Sequence, residues 1–335
     1  MDLTTVADDL IVLHEGTTVA RFEQLQPATR YTLMGHDITT MARPPGELLG
    51  RIATVNDVHF GEIECGRIDD HPEGPIQRPE PGEPPYPETM NRAAVTEIAA
   101  IDPMAIVVKG DLSQDGRPDE WAAFEACYRP AFGERLHVVR GNHDAYHGQT
   151  GYAGDRWIDL PGVSIALLDT VIPMATTGSV SAEQLDWLDA HAAGADRPVL
   201  VMGHHQQWIA GGADARRSDD YFGLHPDASD ALAEVVARRH RIVAYTAGHT
   251  HRHRVRHMSC GVPTIEIGCV KDFPGTWAEY RIYEGGVTQV VHRVSSPEAL
   301  RWSERCRHLY RDFGIDYESY ALGALEDRCC NIPLR

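Results

Sequence analysis

Apolar and polar positions along this chain follow two different periods. Short apolar runs rich in β-branched residues recur at 51–55, 105–109, 136–140, 163–168, 198–202 and 242–246, each ending in polar residues. Their length and near-continuous apolar character predict strands of a largely buried sheet. Between them the period lengthens. Met90, Ala94, Ile98 and Ile101 fall on one helical face, as do Trp121, Phe124 and Tyr128. Ser181 and Gln184 form a capping box ahead of Leu185 and Leu188. Asp227 or Ser229 opens a helix through Leu232, Val235 and Val236. Strand–helix alternation implies right-handed crossovers and an α/β fold.

The two ends depart from this plan. Residues 1–50 carry four short β-type runs, at 10–14, 18–23, 30–34 and 38–41, broken by Gly16, Pro27 and Gly35. The segment LQPATRY resembles a sandwich corner in which a tyrosine hydroxyl ties the loop back. Some 45 residues are too few for a full sandwich, so a strand-rich extension packed on the main domain is expected, with an oligomer contact as the weaker option. Strands are expected again at 264–267, 278–283 and 287–294, the last two joined by a turn at Glu284-Gly285-Gly286. Ser296-Pro297 starts a C-terminal helix with Leu300, Leu309 and Phe313. The expected division is an extension at 1–50, a main domain at 51–294 and a helical tail at 295–335. Two long loops interrupt the domain: 61–87, with seven prolines, and 206–228, rich in Gly, Asp and Arg. Loops of this length in a compact domain are usually functional or disordered.

Charge narrows the partners. The formal net charge of −18 repels nucleic acid and anionic membranes at long range. An anionic substrate must be drawn in by a local positive site. The seven cysteines have no regular spacing and read as reduced thiols. The first residues lack the basic region and cleavage site of a signal peptide, and no apolar run reaches about 20 residues. A cytoplasmic protein is expected.

Five polar clusters sit where the predicted strands end: Asp57-Val-His59, Gly110-Asp111, Gly141-Asn142-His143-Asp144, Gly203-His204-His205 and Gly248-His249-Thr-His251. Strand ends are where sites form in open α/β sheets. Each cluster alone reads more simply as a turn or an ordinary histidine. Together they offer imidazole, carboxylate and amide oxygen, the donors that first-row divalent metals favour. Alternate residues point the same way, so Asp57 with His59, and His249 with His251, can each reach one metal. The preceding glycines let the chain turn sharply. If one carboxylate is shared, the seven ligands give four to each of two metals, more than a single closed zinc site uses.

This ordered set resembles the calcineurin-like metallophosphoesterase superfamily over residues 51 to about 294. GDLSQDGRPDEW followed by VVRGNHD is similar to its cyclic-nucleotide and glycerophosphodiester phosphodiesterase branch. The resemblance implies a double β-sandwich flanked by helices. It implies one metal on Asp57, His59, Asp111 and His251, another on Asp111, Asn142, His204 and His249, and Asp111 as the bridge. Iron, manganese and zinc all suit such donors. Two metals about 3.5–4 Å apart can activate a bridging hydroxide at neutral pH and polarise a phosphoryl group. His143 matches the position that contacts the phosphoryl group or protonates the leaving group, and Asp144 can orient it. His205 supports a ligand or meets substrate. Arg252, Arg254 and Arg256 form a solvated basic edge or a phosphate clamp, and Arg216 and Arg217 offer the same from a lid. In the purple acid phosphatase branch a ligand tyrosine stands where this chain has Gln114, so its tyrosinate–iron colour is not expected.

The expected activity is hydrolysis of phosphodiesters in small organic phosphates. A phosphomonoesterase or nucleotide pyrophosphatase fits the same motifs. A catalytically silent metal-binding scaffold is the alternative of a different class, though His143 is a residue that metal binding alone does not need. The root of the 61–87 loop follows Asp57 and His59, and with Glu62, Glu64, Asp69, Asp70 and His71 it is expected to shape substrate choice.

Overall fold

A computed structural model describes residues 1–68, 71–211 and 216–335. Two six-stranded sheets face one another. The first runs Cys329–Pro333, Gly286–Arg293, Thr276–Tyr283, Leu48–Val55, Ala105–Lys109, Leu136–Val139. The second runs Arg254–His257, Pro263–Glu266, Ile242–Ala247, Val199–Met202, Val163–Leu167, Arg156–Leu160. Successive side chains of a strand point to opposite faces, which sorts the core into layers. Ile52, Val107, Leu200, Val243, Ala278 and Tyr280 meet between the sheets. Ala53, Val55, Ile106 and Val108 turn outward onto the helices Tyr86–Ala100 and Pro118–Phe132 through Met90, Ile98, Phe124 and Tyr128. Val199, Val201 and Tyr245 face Ala182–Gly194 and Pro226–Arg238 through Leu188, Leu232 and Val236. Each fully buried Val, Leu or Ile contributes about 1.5–3 kcal/mol. The expected double sandwich flanked by helices is the fold.

Parallel pairing places the site. Leu48–Val55, Ala105–Lys109 and Leu136–Val139 are mutually parallel in one sheet, and Val163–Leu167, Val199–Met202 and Ile242–Ala247 in the other. Ser181 caps the helix Ala182–Gly194 in the expected box with Gln184. The helix after the second loop starts at Pro226, earlier than expected, because proline at the first helical position is already set for it.

At the N-terminus, Asp2–Val6, Ile11–Glu15 and Thr18–Phe22 form an antiparallel meander, and Arg30–Leu33 pairs with His36–Thr39. The Tyr31 hydroxyl accepts from Gln26 N at 2.8 Å, the loop tie that LQPATRY indicated. Leu10 and Val12 pack on Val290 and Cys329, and Arg281 bonds both Asp8 and Asp9.

The C-terminal segment does more than the expected helical tail. Ser296 caps Pro297–Arg305, and Trp302 stacks on Tyr86 with centroids 4.2 Å apart. Short helices at Tyr317–Leu322 and Leu325–Arg328 follow. Cys329–Pro333 then completes one edge of the first sheet, where proline costs no ladder bond. The cysteines are free thiols. No helix among the described residues is long and apolar enough to cross a membrane.

Candidate metal centre

The five polar clusters converge at one end of the sandwich, because the strands that carry them end there. Their backbone is unusual. Asp57, His59, Asp111, His249 and His251 all have left-handed φ, between 49° and 69°. Non-glycine residues in that region cost about 1–3 kcal/mol each and cluster at functional sites. The glycines serve space more than turning. A Cβ on Gly141 would collide with Asp111 Oδ1, and one on Gly248 would lie 2.7 Å from Asp57 Oδ2. Gly110 has φ of +87°, and a Cβ there would also meet His204.

The candidate ligands come together. His204 Nε2 lies 2.9 Å from Asn142 Oδ1, 3.2 Å from His249 Nδ1 and 3.4 Å from Asp111 Oδ1. His59 Nε2 lies 3.4 Å from Asp111 Oδ2, and His251 Nε2 lies 3.7 Å from Asp57 Oδ1. Asp111 thus faces both groups, one oxygen to each. Asp57, His59 and His251 form one cluster of potential ligand atoms, and Asp57, Asp111 and His204 another. Asp57 also accepts His249 N at 3.0 Å, which locks a loop of one sheet to a loop of the other.

These residues fit metal ions. Nε2 of His59 and of His249 are buried and make no hydrogen bond. An orphaned buried polar atom normally costs about 1–3 kcal/mol. Burial lowers His59 to about 4 and His249 well below its ordinary value, so both rings offer a lone pair at neutral pH. His204 is buried too, yet the Asp111 carboxylate raises it to about 9. That corner of the site calls for positive charge.

Partners outside the ligand set hold the rings. His204 Nδ1 donates to Lys109 O at 2.9 Å. His59 Nδ1 lies 3.2 Å from Gln114 Oε1, so the residue that replaces the branch tyrosine orients a ligand. His251 Nδ1 lies 3.5 Å from Asp272 Oδ2. Asp272 also accepts from the Tyr317 hydroxyl at 2.8 Å. Tyr146 OH accepts from Asn142 Nδ2 at 2.6 Å, which turns the amide oxygen of Asn142 toward His204.

His143 lines the cavity beside the ligands. Its Nδ1 is bound to Gln114 O at 2.8 Å, and its ring lies 4.5 Å from His59 and 4.6 Å from Tyr146. Asp144 does not orient it. The Asp144 carboxylate accepts from Leu112 N, Ser113 N, Ser113 Oγ, Gly141 N and Trp121 Nε1, tying the loop at 110–116 to the loop at 141–148. His205 does not meet substrate either. It is fully buried, with Nδ1 on Thr170 Oγ1 at 2.8 Å and Nε2 on Thr176 O at 3.2 Å. Nor do Arg252 and Arg254 line the cavity. Arg252 donates to one oxygen of the buried Glu266 at 2.8 Å, and Arg256 forms an ion pair with the other at 3.1 Å. Arg254 lies in the strand paired with Pro263–Glu266. Arg217 pairs with Asp227 and Asp230, and Arg216 is exposed away from the cavity lining.

The cavity holds about 510 Å³. The 61–87 loop contributes Glu62, Gly66, Arg67 and Ile68 to it. Glu62 is committed to the buried Lys271 at 2.5 Å, and Glu64 pairs with Arg67 and Arg78. His71 is exposed beside Glu73. Asp69 and Asp70 lie outside the described residues, as do positions 212–215 of the second loop. Sequence reasoning missed Lys271, Asp272, Tyr146, Phe222 and the C-terminal tyrosines. Lys271-Asp272 carries a readable signal: a charged pair closing the stretch Ile267-Gly268-Cys269-Val270. The tyrosines carry none, since only the chain's return brings them back.

Fold and site together define a two-sheet sandwich whose strand-end loops gather several groups of potential metal ligands. The calcineurin-like phosphoesterase family model matches residues 50–253, a stretch containing all seven candidate ligands, and the chain belongs to that family. It is 30% identical over 116 residues to a probable cyclic nucleotide phosphodiesterase of Rhodococcus erythropolis, covering 30% of this chain and 38% of the relative. It is 28% identical over 152 residues to the 3',5'-cyclic adenosine monophosphate phosphodiesterase CpdA of Pseudomonas aeruginosa, covering 44% and 54%. The matched stretches thus span about half or less of those relatives. Among solved structures, a dimetal phosphatase from Danio rerio superposes with a TM-score of 0.54 at 18% identity, covering 74% of this chain and 98% of that one. Such a likeness speaks for the fold alone.

Proposed function

We propose that this chain hydrolyses phosphodiester bonds of small organic phosphates at a centre holding two metal ions. One observation carries the reading: two buried, orphaned imidazole nitrogens and a two-faced carboxylate converge on residues held in left-handed backbone. Asp57, His59, Asp111 and His251 would hold one ion; Asp111, Asn142, His204 and His249 the other. Iron, manganese or zinc suits these donors. When bound, the pair lowers the pKa of water and neutralises phosphoryl charge.

The chain's own residues do the rest. Gln114 and Asp272 fix two ligand rings, and Tyr146 fixes the Asn142 amide. His143, held through Nδ1 by Gln114 O, has Nε2 left for substrate. Water oxygen bonds to phosphorus and releases a proton to solvent as the ester P–O bond breaks, while protonated His143 gives its proton to the leaving oxygen and is reprotonated from solvent. The relatives named for cyclic nucleotide hydrolysis favour diesters over monoesters. The net charge disfavours a nucleic acid duplex.

The test strips the protein with a chelator and restores Mn²⁺, Zn²⁺ or Fe²⁺ singly and in pairs. Hydrolysis of bis(p-nitrophenyl) phosphate should vanish and return with metal, faster than that of p-nitrophenyl phosphate. Diester hydrolysis indifferent to chelation, or a tenfold preference for the monoester, overturns the reading.

A further inference from the structure

Eleven large hydrophobic side chains are exposed among the described residues, and four of them line the cavity of the metal centre: Ile68, Phe222, Ile315 and Tyr320. Exposed apolar surface gathered at one concavity marks a place where a ligand's apolar part sits. Much of this wall is aromatic. Phe222 stacks on His249 with centroids 4.0 Å apart. Tyr317 and Tyr320 lie 6.1 Å apart and nearly parallel, at 23°. The hydroxyl of Tyr317 is committed to Asp272 and that of Tyr320 to Thr250 O, so ring carbon is what they contribute to the wall, with the Arg252 guanidinium 5.1 Å over the Tyr320 ring. Polar groups of Thr176 and Thr250 lie along the same lining. Flat carbon faces interrupted by hydrogen-bonding groups suit a planar heterocycle better than an alkyl chain. The family match ends at residue 253, and the C-terminal part of this wall lies beyond it.

We infer that residues 310–320, together with Phe222 stacked on His249, form a wall that holds the nucleobase of a phosphodiester substrate, making Ile315, Tyr320 and Phe222 specificity-determining residues. The inference rests on the phosphodiesterase reading and names the substrate class for it. The wall contributes binding to the base, not chemistry at phosphorus.

Two measurements on the full, metal-loaded chain test it. The first compares adenosine 3',5'-cyclic phosphate with glycerophosphoethanolamine, a diester without a ring. In Tyr320→Ala, and in Ile315→Ser at the exposed rim should the first variant fail to fold, the ratio of their kcat/KM values should fall about tenfold, chiefly through KM for the nucleotide. The second is saturation-transfer NMR with adenosine 5'-monophosphate. Base protons should be saturated more strongly than ribose protons in the wild type, and that contrast should shrink in Phe222→Ala. A ratio within twofold of wild type in whichever of these two variants folds, or ribose protons saturated as strongly as base protons, overturns the inference. If no diester is hydrolysed at all, the phosphodiesterase reading falls, and the NMR contrast still decides the wall.

Discussion

At the scale of single residues, the division of labour around the metals is specific enough to test. His143 sits beside the ligands with one nitrogen held by Gln114 O. His143→Ala should lower kcat by about 10²–10⁴ while metal content, measured by elemental analysis, stays near wild type. Diesters with poor leaving groups should suffer most, and equal losses for good and poor leaving groups would remove the proton-donor role. Asp272 faces the centre through His251. Asp272→Asn should weaken metal binding by about 10–100-fold, read by competition with a chromophoric chelator, and unchanged affinity would leave Asp272 a purely structural acid. The seven candidate ligands were legible because each sits in a strand-end cluster with glycine or a second donor beside it. Asp144 and His205 were legible as polar residues but not in their roles. Adjacency to a functional residue says nothing of where a side chain turns, and both turn inward to backbone and hydroxyl partners. The arginines at 252 and 254 show the same limit, since alternation along a strand does not say which acid is waiting across the sheet.

At the scale of elements, the strands that hold the site were readable because parallel strands buried on both faces leave continuous apolar runs. Ala105–Lys109 begins and ends where its apolar run does. Arg156–Leu160 and Cys329–Pro333, both sheet edges, were not readable, since an edge strand needs apolar residues on fewer sides and these carry Arg, Asp, Asn and Pro. The N-terminal meander supplies a prediction of its own. His14 is buried with Nδ1 2.8 Å from Thr4 Oγ1, and burial lowers it to about 3, helped by Arg293 and opposed by Asp2 and Glu304. Below pH 6.5 the unfolded chain takes up a proton that folded His14 refuses. Stability is therefore lost progressively as pH falls from about 6.5 toward 3. Thermal melts of His14→Phe should fall less between pH 7 and pH 4.5 than those of the wild type, and parallel curves would contradict the assignment. Asp144 joins two loops at the site with five donors, three of them backbone N–H groups. Asp144→Ala leaves those donors unmatched and should cost about 3 kcal/mol or more, seen as a lower urea midpoint. A midpoint unchanged from wild type would show that water replaces the carboxylate.

At the scale of the whole molecule, the C-terminal segment closes the structure. It packs a helix on Tyr86, walls the cavity, donates Tyr317 to Asp272 and ends as a strand of the first sheet. A chain stopped at residue 305 should lose folded yield, by circular dichroism and gel filtration, and a well-folded product with full metal affinity would make the segment an accessory. The rest of the molecule brings two sheets together so that their loops meet across Asp111. That shared carboxylate is the centre of the account. The most direct measurement is the metal content of purified Asp111→Ala beside the wild type, by elemental analysis after exhaustive dialysis, with diester hydrolysis on the same samples. The wild type should hold two ions per chain, and the variant fewer than one, with no turnover. Two tightly held ions in the variant, or turnover undiminished without Asp111, would contradict it.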